Sequence, residues 1–318
     1  MSALSSLFIL SVFASQTIAG YTLSKSYTIH NFFQEFNFFT DTDPTHGSVK
    51  YVDFETANST HLAGAAAFGN YTDLIYLGVD SANVAPSGRP STRVSSMDTF
   101  NQGLFIVDIV HAPAGICGTW PAFWLLGSGM WPYGGEIDIF EGVNAGETNQ
   151  MTLHTSPGCT NTAGGYLGSQ STPDCNSANT ENNSGCGIKS KDPQTYGLFN
   201  ENSGGVFATE WTSEAIKVWF WPRDAIPSDI LESQPNPGDQ SWGAPQAVFS
   251  GDCDIDSHFQ NMQIIIDTTF CGDWAGKVWS TSSCSSKAST CEDWVAENPT
   301  AFTEAFWAIS SIEVFQSG

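Results

Sequence analysis

An all-β sandwich is the fold class this sequence predicts, on three observations. Seven short runs, at 104–110, 122–126, 137–140, 151–155, 216–221, 263–269 and 309–315, are rich in Ile, Val, Phe and Trp and are bounded by Gly, Pro, Asn or Asp. Long stretches of helical periodicity are absent. Of the 318 residues 41% are hydrophobic and only 14% charged, which is enough apolar material for a sizeable core. Sandwiches of roughly 200–250 residues commonly form one domain. No Ser/Thr/Pro-rich linker divides this chain, so residues 20–318 read as a single domain.

The elements follow in chain order. Residues 1–19 read as a secretory signal peptide: the apolar run at 7–14 is too short to span a bilayer, and Thr17-Ile18-Ala19 gives the small-x-small pattern of a cleavage site. A secreted, extracellular protein is therefore expected. The seven apolar runs supply strands. Between the fourth and fifth, residues 156–187 are rich in Gly, Ser, Thr and Asn and hold three cysteines, which predicts a long surface loop stapled by a disulfide. One or two helical turns fit between Cys291 and Trp307, where Pro299 suits a first helical position.

All eight cysteines (Cys117, Cys159, Cys175, Cys186, Cys253, Cys271, Cys284 and Cys291) lie beyond the leader, and none forms a Cys-x-x-Cys pair. Four structural disulfides in an oxidising compartment are expected, not a zinc ribbon. Cys175 with Cys186 and Cys284 with Cys291 are the local pairs that short loops allow, with the full connectivity open. Asn58, Asn70 and Asn182 each begin an Asn-x-Ser/Thr acceptor, relevant to an exported eukaryotic chain.

Charge narrows the partners. With 33 acidic and 10 basic residues the net charge is -23, so no broad positive field exists for a phosphate backbone or an anionic membrane. Nucleic acid and membrane are excluded as partners. A neutral polymer meets no such repulsion, and 11 Trp, 8 Tyr and 22 Phe offer many flat apolar faces.

The chemistry concentrates in Gly134-Gly135-Glu136-Ile137-Asp138-Ile139-Phe140-Glu141-Gly142, three acids in a chain otherwise sparse in charge. On a strand, Glu136 and Asp138 share one face and Ile137 points to the other. Glu141 is out of phase, and returns to the acidic face only if a β-bulge near Ile139 or Phe140 absorbs one residue. The two Glu Cα atoms then stand roughly 13 Å apart, at ~3.3 Å per step. Side chains leaning inward approach the ~5–5.5 Å carboxyl separation of a retaining glycosidase. Three neighbouring carboxylates titrate together, and one of them keeps its proton in mildly acid medium. The alternatives are a solvated outer strand, which the large apolar residues at alternate positions argue against, and a calcium site, for which the segment specifies no further ligands. Asp252-Cys253-Asp254-Ile255-Asp256 lacks the remaining EF-hand positions and reads as loop or strand-edge acids.

Glu136-Ile-Asp138-Ile-Phe-Glu141 resembles the Glu-x-Asp-x-x-Glu signature of glycoside hydrolase family 16. Gly118-Thr-Trp120-Pro-Ala-Phe-Trp124, Met151-Thr-Leu-His154-Thr and Cys271-Gly-Asp273-Trp274-Ala-Gly are similar to the fungal laminarinase-type endo-β-1,3(4)-glucanases of that family, so the likeness runs over most of residues 20–318. The resemblance implies a concanavalin-A-like β-jelly roll of two antiparallel sheets with an open cleft for a β-glucan. It also implies retaining hydrolysis by a monomer without metal or other cofactor. By the same likeness Glu136 is the nucleophile, Glu141 the general acid and then base, and Asp138 the neighbour that orients and tunes Glu136. Trp120, Trp124, Trp131 and Trp274 are expected sugar platforms, Trp124 and Trp131 foremost, since an indole face packs on the C–H face of a glucosyl ring. For Trp120 and Trp124 an ordinary core position is the rival reading. His154 is placed near the acids by the resemblance alone. Arg93 resembles a glucan-contacting arginine, against a default reading as a surface ion pair. A cell-wall glucan transglycosylase shares the same intermediate, and a non-catalytic carbohydrate-binding jelly roll would have no use for both Glu136 and Glu141. A nucleophilic serine or cysteine enzyme is disfavoured, since no Gly-x-Ser-x-Gly elbow occurs.

Overall fold

The computed structural model describes residues 20–178 and 183–318; the leader at 1–19 and the acceptor Asn182 lie outside them. Alternation of apolar and polar residues along short strands leaves each sheet one face to bury, and two sheets bury those faces against each other. The first has eight strands, ordered Ala247–Phe249, Ile216–Pro222, Gly205–Trp211, Gly103–His111, Phe306–Ser317, Tyr71–Gly78 and Ala63–Phe68, with Tyr21–Tyr27 also pairing to Phe306–Ser317. The second, also of eight, runs Ser169–Gln170, Cys186–Lys189, Gln150–His154, Glu136–Glu141, Thr119–Leu126, Gln263–Phe270, Arg93–Ser96 and Phe36–Phe38. The pairings within both sheets are antiparallel. The result is the expected jelly-roll sandwich.

Each of the seven predicted runs coincides with one of these strands. Others carried no signal: Ala63–Phe68 reads AGAAAF, with none of the β-branched residues that mark a strand, and is extended because Tyr71–Gly78 pairs with it. The expected turns near the C-terminus form as a helix, Cys291–Glu297, whose cap Thr290 accepts the Asp293 N–H, then a 3-10 turn, Pro299–Phe302, opened by its proline. No helix among the described residues is long and apolar enough to cross a membrane.

The described residues of 156–187 form the expected long loop with its disulfide staple, tied down further by two short pairings, Cys159–Asn161 with Gly251–Cys253 and Ser169–Gln170 with Cys186–Lys189, while Cys159, Cys175 and Cys186 are buried. Of the local disulfides, Cys175–Cys186 forms, but Cys284 and Cys291 part ways. The bridges are Cys117–Cys284, Cys271–Cys291 and Cys159–Cys253. Closeness in sequence misleads here because Cys284 sits in its own 3-10 turn while Cys291 opens the next helix. Both instead help form a second apolar cluster with Phe270, Trp279, Val295 and Phe302, which anchors the C-terminal helices to the end of the second sheet.

The main core packs aliphatic side chains from both sheets, among them Val107, Ile109, Phe123, Leu125, Ile137, Ile264, Ile266 and Ile309. Trp307 reaches across from the first sheet, its indole N–H donating to the Asp267 carbonyl and the Thr268 hydroxyl of the second. Phe140 lies at the meeting point, its ring against Tyr196, Phe199, Phe207 and Trp307 with centroids 5.2–5.7 Å away. Phe140→Ala leaves a void that these stiff rings cannot close, so urea unfolding is expected to show a loss of about 3–5 kcal/mol. A loss below about 1 kcal/mol would mean that the site collapses freely.

Candidate active site

The acidic segment forms the strand Glu136–Glu141 in the middle of the second sheet. Glu136 stands opposite Leu126 and Asp138 opposite Trp124, in step; then Phe140 stands opposite Phe123, so Ile139 is the extra residue of a β-bulge. Ile139 and Phe140 both enter the core, and the chain resumes with Glu141 opposite Ala122. Because Leu126, Trp124 and Ala122 alternate regularly, Glu136, Asp138 and Glu141 all share their outward face. Gly135, with φ of +82°, makes the sharp entry, where a Cβ would come within 2.4 Å of the His258 carbonyl.

Around the acids stand most of the residues singled out from sequence. His154 lies opposite Glu136 on the next strand, its Nε2 at 3.3 Å from Asp138 and 3.7 Å from Glu136, and its Nδ1 at 2.8 Å from the Ser177 hydroxyl. Trp131, 41% exposed on the loop before the strand, donates its indole N–H to Glu136 at 2.9 Å and tilts against the His154 ring. Trp120 donates its indole N–H to Glu141 at 2.8 Å, and Trp274 meets the Trp120 ring edge-on at 5.7 Å. Neither Trp120 nor Trp124 belongs to the core between the sheets. Both lie on the acidic face, Trp124 with Ala122, Leu126 and Ile265 in a small apolar patch. Glu136, Asp138 and His154 also bring three ligand-type atoms within 4.8 Å of one another, the geometry a cation would need.

Two and three strands away, on Gln263–Phe270 and Arg93–Ser96, the face continues. Arg93 is only 8% exposed, and its guanidinium lies between the rings of Phe39 and Trp124, at 4.9 and 5.0 Å, which corrects the surface ion-pair reading. Asp267, opposite both Arg93 and Ala122, accepts from the Trp124 indole at 2.7 Å and the Tyr51 hydroxyl at 3.1 Å. Sequence reasoning passed over Asp267, although an acid inside the run QIIIDTTF was a usable signal: a charge buried in a strand has a partner or a task. Tyr51, Phe39, Ser177 and the fully buried Asn149 carried no such mark.

Burial dominates the electrostatics. Glu141 is 8% exposed, and loss of water raises its pKa well above the ordinary 4.5; Asp138 adds to the rise, and the Trp120 hydrogen bond partly opposes it. Asp138, 2% exposed, is pushed well above 3.8 by desolvation first, then by Glu136 and Asp267. Asp267 is raised to about 6 by burial, against the pull of Arg93 and its hydrogen-bond donors. The face thus offers a buried, proton-retaining Glu141 across from a Glu136 that Trp131 and His154 hold in place, two carboxyl groups suited to different tasks.

Similarity to known proteins agrees with this geometry. The family model for the XgeA-like, catalytic GH16 domain matches residues 36–315. An endo-1,3(4)-beta-glucanase of Arthroderma benhamiae is 43% identical over 98% of this chain and 68% of its own length. The chain spans less than half the length of the Aspergillus and Neosartorya relatives it matches. Laminarinase 16A of Phanerochaete chrysosporium superposes with a TM-score of 0.85 at 39% identity, over 94% of this chain and all of that one. An elongating family 16 beta-1,3-glucosyltransferase gives the same score and identity over 93% of this chain. By its sheets, its acidic strand and these likenesses, the chain belongs to glycoside hydrolase family 16.

Proposed function

We propose that this glycoside hydrolase is a secreted, retaining endo-β-glucanase acting on β-1,3 or mixed β-1,3/1,4 glucans. The observation that carries the reading is the bulge at Ile139, which puts Glu136 and Glu141 on one face in unlike surroundings. Glu136 attacks the anomeric carbon as a carboxylate, while Glu141 hands its proton to the departing glycosidic oxygen. Glu141, now ionised, takes a proton from the incoming water, which displaces Glu136 and restores both groups. Asp138, within reach of His154, orients Glu136 and limits the negative charge beside it. Trp131, Trp120, Trp274 and Trp124 offer indole surfaces to sugar rings, and Arg93, stacked on Trp124, sets the far end of the face. The names of the fungal relatives support the linkage, and four disulfides support an exported chain. The likeness to a glucosyltransferase favours one second reading, in which a sugar hydroxyl replaces water in the last step.

Incubation with laminarin and mixed-linkage glucan is expected to release products of β configuration, read by NMR within the first turnovers. Glu136→Ser and Glu141→Gln should each lower kcat at least ~10²-fold. Inverted products, or full activity in either variant, rejects the assignment. Elongated products in place of released sugar select the transferase reading.

The rate should fall on the alkaline side at a pH well above 4.5, because burial holds the proton on Glu141. A profile of kcat/KM against pH measures this limb directly, and a limb at the ordinary glutamate value would contradict it.

Stability should show the same burial with the opposite sign to a salt-bridged acid. Asp138 and Glu141 bind protons more tightly folded than unfolded, so their contribution is full below the unfolded pKa and is lost as pH rises through the raised folded pKa. Asp138→Asn is therefore expected to raise Tm near pH 7 and to lose that advantage toward pH 4. An advantage that grows on acidification contradicts the raised pKa.

A further inference from the structure

We propose that Asn149 is the positioning residue of the general acid: its side-chain amide acts as a surrogate strand that holds the bulge open and fixes Glu141 on the acidic face. The inference rests on the reading of Glu141 as proton donor given above.

The strand Glu136–Glu141 has a backbone partner on this side only at Glu136, Ile137 and Asp138, opposite His154, Leu153 and Thr152. Beyond Asp138 the bulge throws the two chains out of register, and the backbone groups of Ile139 and Glu141 need partners within a dry interior. Asn149, immediately before the strand Gln150–His154 and with no exposed surface, supplies both. Its Oδ1 accepts the Glu141 N–H at 2.7 Å, and its Nδ2 donates to the Ile139 carbonyl at 2.7 Å. One acceptor and one donor in a planar amide replace the peptide group that a regular neighbouring strand would have offered. The two partners also fix which end of the carboxamide is oxygen.

Asn149 is itself held. Its own N–H donates to the Thr195 hydroxyl at 3.2 Å, and its carbonyl accepts the Ser190 N–H at 2.8 Å. The Thr195 hydroxyl in turn donates to the Asp192 carbonyl. The brace therefore runs from the segment 190–195 through one side chain to the backbone of Glu141, while the carboxyl of Glu141 is held from the other side by Trp120. Asn149 meets the peptide groups on either side of Phe140 and acts on the reaction only by placing Glu141.

That role separates from mere support of the fold by choice of leaving group. Glucan cleavage needs a proton delivered to a poor leaving alkoxide, whereas 2,4-dinitrophenolate departs from a dinitrophenyl β-laminaribioside unassisted. In Asn149→Ala, turnover of laminarin is expected to fall roughly 10²-fold or more with KM within about threefold. The rapid release of dinitrophenolate in the first turnover should stay within about tenfold of wild type. Azide, a nucleophile that needs no general base, should speed the slow second step in the variant and not in the wild type. Asn149→Asp, which keeps an acceptor for Glu141 but loses the donor to Ile139, carries the test if the alanine variant does not fold by circular dichroism.

Equal losses on both substrates, or no loss on either, overturn the proposal, as does failure of both variants to fold, since a structural role would then account for the residue. Glu141→Gln runs beside them. If it too loses both substrates equally, the reading of Glu141 as acid fails; if it shows the selective loss and the Asn149 variants do not, only the present inference fails.

Discussion

The site depends on one backbone irregularity. A regular strand from Glu136 to Glu141 would turn Glu141 into the core and Phe140 out onto the acidic face, because side chains alternate with a period of two. The bulge at Ile139 resolves this conflict by sending Ile139 and Phe140 together into the core and returning Glu141 to the face of Glu136 and Asp138. Packing makes the irregularity worthwhile: Phe140 lies among four aromatic rings, so the apolar burial that stabilises the sandwich also sets the phase of the acid after it.

Holding three carboxyl groups together on that face opposes stability. Asp138 and Glu141 have lost most of their contact with water, and their mutual repulsion adds to the cost of ionising them. Indole N–H donors and the His154 ring soften that repulsion from the open side, and the Asn149 amide satisfies the backbone from the closed side. The arrangement leaves a proton on Glu141 where a solvated glutamate would have lost it, which is the split of roles that two-step glycoside cleavage requires.

Much of this was legible in the sequence. The seven apolar runs located strands of both sheets, and the spacing of Glu136, Asp138 and Glu141 called for a bulge at the place where one occurs. The resemblance carried His154, Trp120, Trp131 and Trp274 to positions that touch the acids or one another. What stayed hidden had no local signature. Asn149 works through the fold of 190–195, Tyr51 and Phe39 meet Asp267 and Arg93 only after distant segments pair, and Ala63–Phe68 is a strand because of its neighbour. The pairing of Cys284 with Cys117 instead of Cys291 is of the same kind, fixed by helix and turn positions that spacing does not encode.

The central claim is that Glu136 and Glu141 work on one glycosidic bond from one face, the first as nucleophile. Trapping tests it most directly: a 2-deoxy-2-fluoro-β-laminaribiosyl fluoride would form the covalent intermediate and stall its hydrolysis, and peptide mapping by mass spectrometry would locate the sugar. The account predicts a single label on Glu136, with turnover of the trapped enzyme lost in Glu141→Gln. A label on Glu141 or on another residue would contradict it.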